Sequence, residues 1–415
     1  MKRVLSLIMV ALMLLLLPAD MLASGVSGAQ EEPTRVRQLD ELRESNSDTY
    51  LLSDGSYECV IYAGDKYYKD DSGKYVEIDN SIVKAPVTRA GKDYQYKNAA
   101  AAMNVGFASN EPSVFIESEV NSISFSLAAP NRTRANIGSS IAARSIAGFS
   151  LHGENYLEYR NVLPQTDFVY AVQNHGVKEY IILNSPEAPT EFSFNFTAEG
   201  YTAEKTEHGT VEFKDENGEA VFELGALFAV DSAGAYTEDL EYSITKITQD
   251  IYEVVVAISK EYVNAASRTF PVLIDPIVKV SNRDNVRDCF VSSKMPRIPY
   301  DVSVYIGTGY STTWGIRRTF IRFELPDYIN KEHIQNAYIL LTRHSGSTLP
   351  NIKAYRATQS WTPSATTWEH QPSCASATDG GVHYINNYSY QEYQLQIWSS
   401  DGMNQTLQII IPTMV

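Results

Sequence analysis

Three cysteines in 415 residues are too few, and odd in number, for a disulfide scaffold. Cys59, Cys289 and Cys374 fit no metal-ligand spacing, and at least one of them stays unpaired. Cys289 and Cys374 could pair if they share a domain, although small buried residues are the simpler reading. Histidine is scarce too. None of the seven falls in an H-x-H or H-E-x-x-H pattern, which removes the common zinc-hydrolase arrangements. No G-x-S-x-G is present, and "RHSGS" (Arg343–Ser347) lacks the strand–elbow–helix setting of a nucleophilic serine. Basic charge is short, at 34 Lys and Arg against 50 Asp and Glu, for a net charge of −16. With no basic block, a nucleic acid is a poor partner, because the phosphate contribution would be repulsive.

Long apolar runs are absent except at the start. Lys2 and Arg3 precede "VLSLIMVALMLLLL" (Val4–Leu17), and Ser27 and Ala29 offer a small-residue cleavage site before Gln30. That is the layout of a secretory signal peptide over 1–29, and the apolar run is shorter than the ~18 to 20 residues a membrane span needs. The expected product is secreted, with no membrane span after cleavage and with a possible cell-wall association. Residues 30–47, "QEEPTRVRQLDELRESNS", are charged without an apolar stripe and read as a linker with a short helical turn.

What the rest has in quantity is alternation with a period of two. "SYECVIYAG" and "KYYKDDSGKYVEID" are short tyrosine- and valine-rich strands, the second turning at Asp70–Gly73. Ile123, Phe125 and Leu127 share one face, as do Phe192, Phe194 and Phe196. "TDFVYAVQNHGVKEYIIL" predicts a hairpin, with Phe168, Tyr170 and Val172 before the turn and Tyr180 and Ile182 after it. "GTVEFKDENGEAVFEL" predicts another, around Asp215–Gly218. "NAAAAMNVGFASN" and "SSIAARSIAGFS" are alanine-rich without caps and read as loop or weak helix. Short strands with frequent turn signals give an all-β fold of two β-rich domains. In "RTFPVLIDP", Pro271 and Pro276 bracket a five-residue strand. Asp275 is read there as a domain-boundary marker rather than a catalytic acid, closing a domain over 48–275.

The acidic turns "KDDSG" and "KDENG" lack the alternating oxygen ligands, sixth-position glycine and twelfth-position glutamate of a calcium loop. Asp288 and Asp301 are the weak candidates for a structural calcium; no other cofactor is implied. No stretch singles out the two spaced carboxylates of a glycosidase. Sugar binding has its own signature of aromatic faces beside polar groups. All four tryptophans lie in 300–398, and Trp314 in the glycine-bounded "GYSTTWG" is the most open candidate. Tyr310 could add a second face, and Arg317 or Arg318 could clamp an acidic sugar or form a structural pair. Trp361 and Trp368 read as core residues.

The blocks after Asp275 carry a resemblance. "VRDCFVSS", "IPYDVSVYIGTG", "RRTFIRFELPDYI", "HIQNAYILLT" and "SWTPSATTWEHQP" follow, in order, the motifs of the DNRLRE domain, grouped with carbohydrate-binding module family 96. The resemblance covers roughly 283–398 and implies a jelly-roll type β-sandwich over 283–415 that binds polysaccharide or serves as a surface stalk, without catalysis. "TYLLSDGSYECVIYAGDKYYKDDSGKYVEIDNSI", "YRNVLPQTDFVYAVQNHGVKEYIIL" and "RTFPVLIDP" resemble the N-terminal region of secreted YD-repeat (RHS) wall-associated and polymorphic toxin proteins of Gram-positive bacteria. The chain departs from them in having no YD repeats and no toxin domain. "LQIW" (Leu395–Trp398) only partly echoes the closing block, which implies a truncated end. The expected function is binding of cell-wall or extracellular polysaccharide. The alternatives are a structural part or remnant of a YD-repeat protein, or a polysaccharide-degrading enzyme.

Overall fold

The computed structural model describes residues 33–411 apart from 63, 90, 119–120, 139–143, 147–148, 208, 281–285, 301–305, 313, 325–336, 343–354, 376–381, 384–391 and 398–405. The signal-peptide expectation for 1–29 lies outside the described residues. No helix among them is long and apolar enough to cross a membrane. The longest, Lys260–Val263, is a single turn capped by Ser259, whose side chain accepts from the Tyr262 amide. The all-β expectation holds.

The segment read as a linker is folded. Arg35–Gln38 is a strand paired antiparallel with Ser47–Leu52, which in turn pairs with Tyr57–Ile61. The helical turn is a 3-10 turn at Asp40–Leu42. Charge hid this structure from a period-based reading, because the ordering group is itself charged. Asp48 is 1% exposed. It accepts hydrogen bonds from Gln38 (2.6 Å), Tyr62 (2.8 Å) and Tyr67 (2.9 Å), and ion-pairs with Lys66 (3.2 Å) and Arg43 (3.3 Å). Tyr67–Lys69 and Tyr75–Glu77 form the expected hairpin, and the Asp70 carboxylate accepts from the Ser72 and Lys74 amides across its turn.

The central body is a sandwich of two antiparallel sheets. One has eight strands, in the order Leu240–Lys246, Ile251–Ile258, Glu191–Thr197, Asn121–Leu127, Ser113–Ser118, Met103–Phe107, Lys92–Ala100 and Asp79–Arg89. The other has eleven, with a spine running Ala135–Ile137, Tyr156–Leu163, Thr166–Gln173, Gly176–Leu183, Ile277–Val280, Ala220–Leu224, Val211–Lys214 and Thr202–Lys205. Ile123, Phe125, Leu127, Phe192, Phe194 and Phe196 of the first sheet meet Phe168, Tyr170, Val172, Phe213 and Phe222 of the second in one continuous core. Tyr180 and Ile182, the alternating residues after the turn, lie on the opposite side with Ile146, Leu151 and Leu273. Both faces of this sheet are covered, so alternation no longer distinguishes inside from outside.

The two alanine-rich segments, expected as loop or weak helix, are largely strand where they are described. Lys92–Ala100 and Met103–Phe107 are successive members of the eight-stranded sheet, and Ser145–Ile146 pairs with Phe149–Ser150. Alanine has little strand preference, but neighbouring strands on either side supply the ladder.

Asp275 does not end the sandwich. Val272–Ile274 pairs with both Gly176–Leu183 and Ala229–Asp231. Ile277–Val280 then fills the position between Gly176–Leu183 and Ala220–Leu224. The backbone stays bonded through the proline, because the Asp275 amide donates to the Phe228 carbonyl and the Glu179 amide to the Pro276 carbonyl, both at 3.0 Å.

Beyond it, one sheet contains Met295–Tyr300, Val286–Ser292, Gly315–Glu324, Thr406–Ile411 and Tyr355–Arg356, with Gly309–Ser311 hairpinned onto Gly315–Glu324. Ala337–Thr342, Glu392–Ile397 and Val382–His383 form a second. Thr406–Ile411 is paired antiparallel over six positions with Gly315–Glu324.

Candidate functional site

The sequence candidates converge on the Gly309–Gly315 hairpin, but not in the expected arrangement. Tyr310 is 68% exposed, the most open large hydrophobic side chain of the C-terminal part among the described residues. It is directly opposite Ile316, whereas Arg317 is opposite Gly309. Cross-strand partners share a face and neighbours along a strand alternate, so Tyr310 and Arg317 project to opposite sides. The hairpin separates the proposed aromatic face from the proposed clamp.

Trp314 is half-buried, not an open platform. Its ring centroid lies 4.5 Å from Tyr236, 5.1 Å from Tyr300 and 5.5 Å from Phe290. The Arg317 guanidinium is 6.0 Å from the Trp314 ring, and burial lowers its pKa. Hydrogen bonds tie the loop down: Ser292 donates to the Trp314 carbonyl (2.5 Å), Lys294 to the Thr312 carbonyl (2.5 Å), and the Trp314 amide to the Ser311 hydroxyl (3.1 Å). Sequence pointed to Trp314 through its glycine-bounded loop. It could not reveal that Tyr236, 78 positions earlier, packs against the same ring.

That contact belongs to a cluster bridging the two parts of the chain. Tyr236 stacks on Phe228 at 5.4 Å. Its hydroxyl donates to Glu238 Oε1 at 2.8 Å, and the Tyr300 hydroxyl donates to the same oxygen. Tyr300 stacks on Phe290 at 4.4 Å, with the planes 7° apart. Burial pushes the Glu238 carboxyl above its ordinary range, against the pull of the two tyrosine hydroxyls.

Trp361 is buried edge-to-face against Phe320 at 5.7 Å, in a cluster with Cys289 and Val291, and Trp368 packs on its margin. Arg318 stands 4.9 Å over the Trp368 ring and donates to Gln371 at 2.9 Å. No disulfide joins Cys59, Cys289 and Cys374; Cys289 is buried and Cys374 exposed. Of the two calcium candidates, Asp288 lies on Val286–Ser292 opposite Ile321, and Asp301 lies outside the described residues. No group of three or more His, Cys, Asp or Glu fit to hold a metal occurs among the described residues.

The first sandwich also encloses Lys178, Asp275 and Glu179. Lys178 and Asp275, 1% and 0% exposed, pair at 2.7 Å. Glu179, on the core-facing side, accepts from the Tyr170 hydroxyl at 2.6 Å. An open groove of about 470 Å3 at the sandwich edge is lined by Thr202, Lys205, Ser243, Lys246 and Tyr252 among others, and its walls offer no pair of carboxylates.

Comparison with known proteins adds a family for the C-terminal part. Residues 279–398 match carbohydrate-binding module family 96. Over 96% of its length the chain is 22% identical to the tRNA nuclease WapA of Bacillus subtilis and 23% identical to the tRNA3(Ser)-specific nuclease WapA of Bacillus spizizenii. It spans only 19% of each of those proteins. A glycoside hydrolase family 81 structure from Clostridium thermocellum aligns over 84% of this chain and 39% of its own, at 8% identity. Its TM-score of 0.19 is too low to carry an argument.

Proposed function

We propose that this chain is a secreted, non-catalytic protein that binds extracellular or cell-wall polysaccharide through its C-terminal module. The observation that carries this reading is the match of residues 279–398 to a carbohydrate-binding module family. The exposed Tyr310 ring supplies an apolar face for the C–H side of a sugar, and the polar hairpin around it supplies partners for hydroxyls. The leader over 1–29 accounts for export. The net charge of −16 argues against this segment touching tRNA, although the much longer relatives are named as tRNA nucleases.

The test is binding of the full secreted chain to an array of bacterial wall and extracellular glycans. Tyr310→Ala is expected to weaken binding about tenfold, as loss of one stacked aromatic does. Failure of the unaltered protein to bind any glycan would sink the reading, and release of reducing ends from wall polysaccharide would turn it into an enzyme. A second reading is favoured by the alignment of nearly the whole chain to a fifth of a longer protein. In it, the two β-rich parts form a structural segment of a YD-repeat-like protein, and the glycan array stays blank.

A further inference from the structure

The hairpin bearing Tyr310 is not held by its own module alone. Its loop is anchored on Trp314, and the ring against which Trp314 sits at 4.5 Å is Tyr236 of the first sandwich. Tyr236 is itself rigidly presented. It lies on Tyr236–Thr237, paired with Ala229–Asp231, and the turn between them is organised by Asp231. One Asp231 oxygen accepts the Ala233 and Ala235 amides (3.0 and 2.8 Å), and the other accepts Arg268 (2.9 Å) and the Thr269 amide (3.1 Å). The Phe228 ring stacks against Tyr236. Glu238 then joins the two parts by accepting one tyrosine hydroxyl from each.

We propose that Tyr236 and Glu238 are positioning residues for glycan binding: they fix the Trp314 loop, and through it Tyr310, so that the binding unit is the module together with the first sandwich. The inference rests on the polysaccharide reading above. Its physical basis is that a stacking ring contributes affinity only when its supporting shell holds it, because ordering a loose loop on binding costs part of what the contact gains. The sandwich supplies half of that shell. This also gives a role to "ELGALFAVDSAGAYTEDLEY", whose aromatic residues no motif explains.

The test uses the full-length secreted chain and two readouts, amide hydrogen exchange of residues 309–317 and affinity for the glycan picked up by the unaltered protein. Tyr236→Ala should raise exchange in 309–317 and weaken glycan binding about fivefold to tenfold, with the rest of the exchange map unchanged. Tyr236→Phe, which keeps the ring on Trp314, should restore most of both. Glu238→Gln keeps an acceptor and should fall between them, whereas Glu238→Leu should resemble Tyr236→Ala. Raised exchange with unchanged affinity would overturn the positioning role and leave the polysaccharide reading intact. Unchanged exchange in Tyr236→Ala would overturn the contact itself. If the unaltered protein binds no glycan, the polysaccharide reading and the positioning role fall together, and the exchange data still report whether the two parts dock.

Discussion

A carboxyl group inside a hydrophobic sandwich must be either neutral or paired, because an isolated buried charge is too costly to keep. Gly176–Leu183 carries one of each kind of solution on adjacent residues. Glu179 faces the core, and burial pushes its carboxyl up from 4.5 to about 8, against the opposing hydrogen bond from Tyr170. The folded-state value lies above the unfolded one, so the folded protein holds the proton more tightly. Stability is therefore greatest below about pH 4.5 as far as this group is concerned, and falls as pH rises to about 8. The slope is on the order of 1.4 kcal/mol per pH unit in that window. Glu179→Gln is expected to flatten that slope in denaturation curves taken across the window, and to be the more stable protein at its upper end. An unaltered slope would mean that Glu179 is not the group responsible. Lys178 faces the other way and pairs with Asp275. Asp275→Ala should cost about 3–5 kcal/mol by stranding the ammonium, whereas Lys178→Met with Asp275→Leu should recover most of it. Equal losses in the single and double variants, read from urea midpoints, would contradict this account.

At the scale of elements, legibility follows the source of order. The hairpins turning at Asp70–Gly73 and Asp215–Gly218 were readable because an aspartate and a glycine specify them locally. The Asp215 carboxylate accepts the Asn217 and Glu219 amides, at 2.9 and 3.0 Å. The aromatic strands were readable because one face is buried. Arg35–Gln38 and Lys92–Ala100 were not, because long-range partners order them rather than their own pattern. For the first, the organiser is Asp48. Burial raises its carboxyl, but hydrogen bonds from Tyr62, Tyr67, Lys66 and Arg43 outweigh this and hold it below the usual carboxylate range. Its contribution is present above the unfolded aspartate value near 3.8 and is lost as pH falls through the depressed folded value. Asp48→Ala leaves the buried Tyr67 hydroxyl and the half-buried Gln38, Tyr62, Lys66 and Arg43 donors without their acceptor and should destabilise residues 33–78 by about 2–4 kcal/mol. Selective proteolysis within that stretch, with the sandwich core still protected in hydrogen exchange, is the expected sign. The candidate site divides in the same way: Tyr310 was legible as a polar-loop aromatic, whereas the Tyr236–Trp314 contact depends on how two distant segments meet.

For the whole molecule, the decisive segment runs from "RTFPVLIDP" through Val280. Its prolines mimic a boundary, since proline interrupts a ladder. The sheet tolerates Pro276 because the residues on either side continue the bonding, Val272–Ile274 before it and Ile277–Val280 after it. Ile277–Val280 lies between Gly176–Leu183 and Ala220–Leu224, so it joins the two halves of the eleven-stranded sheet. Val278 and Val280 also belong to the central core. Ending the chain at Asp275 would remove that strand, expose two strand edges and open the core between them. A fragment spanning 33–275 is therefore expected to aggregate, or to show no cooperative unfolding transition. One spanning 33–282 should fold and melt as a unit, because the core of its sandwich is then complete. Side-by-side thermal and urea melts decide it: a cooperative transition of equal midpoint in both fragments would mean that the strand after Asp275 is dispensable, and that the fold does close at the proline.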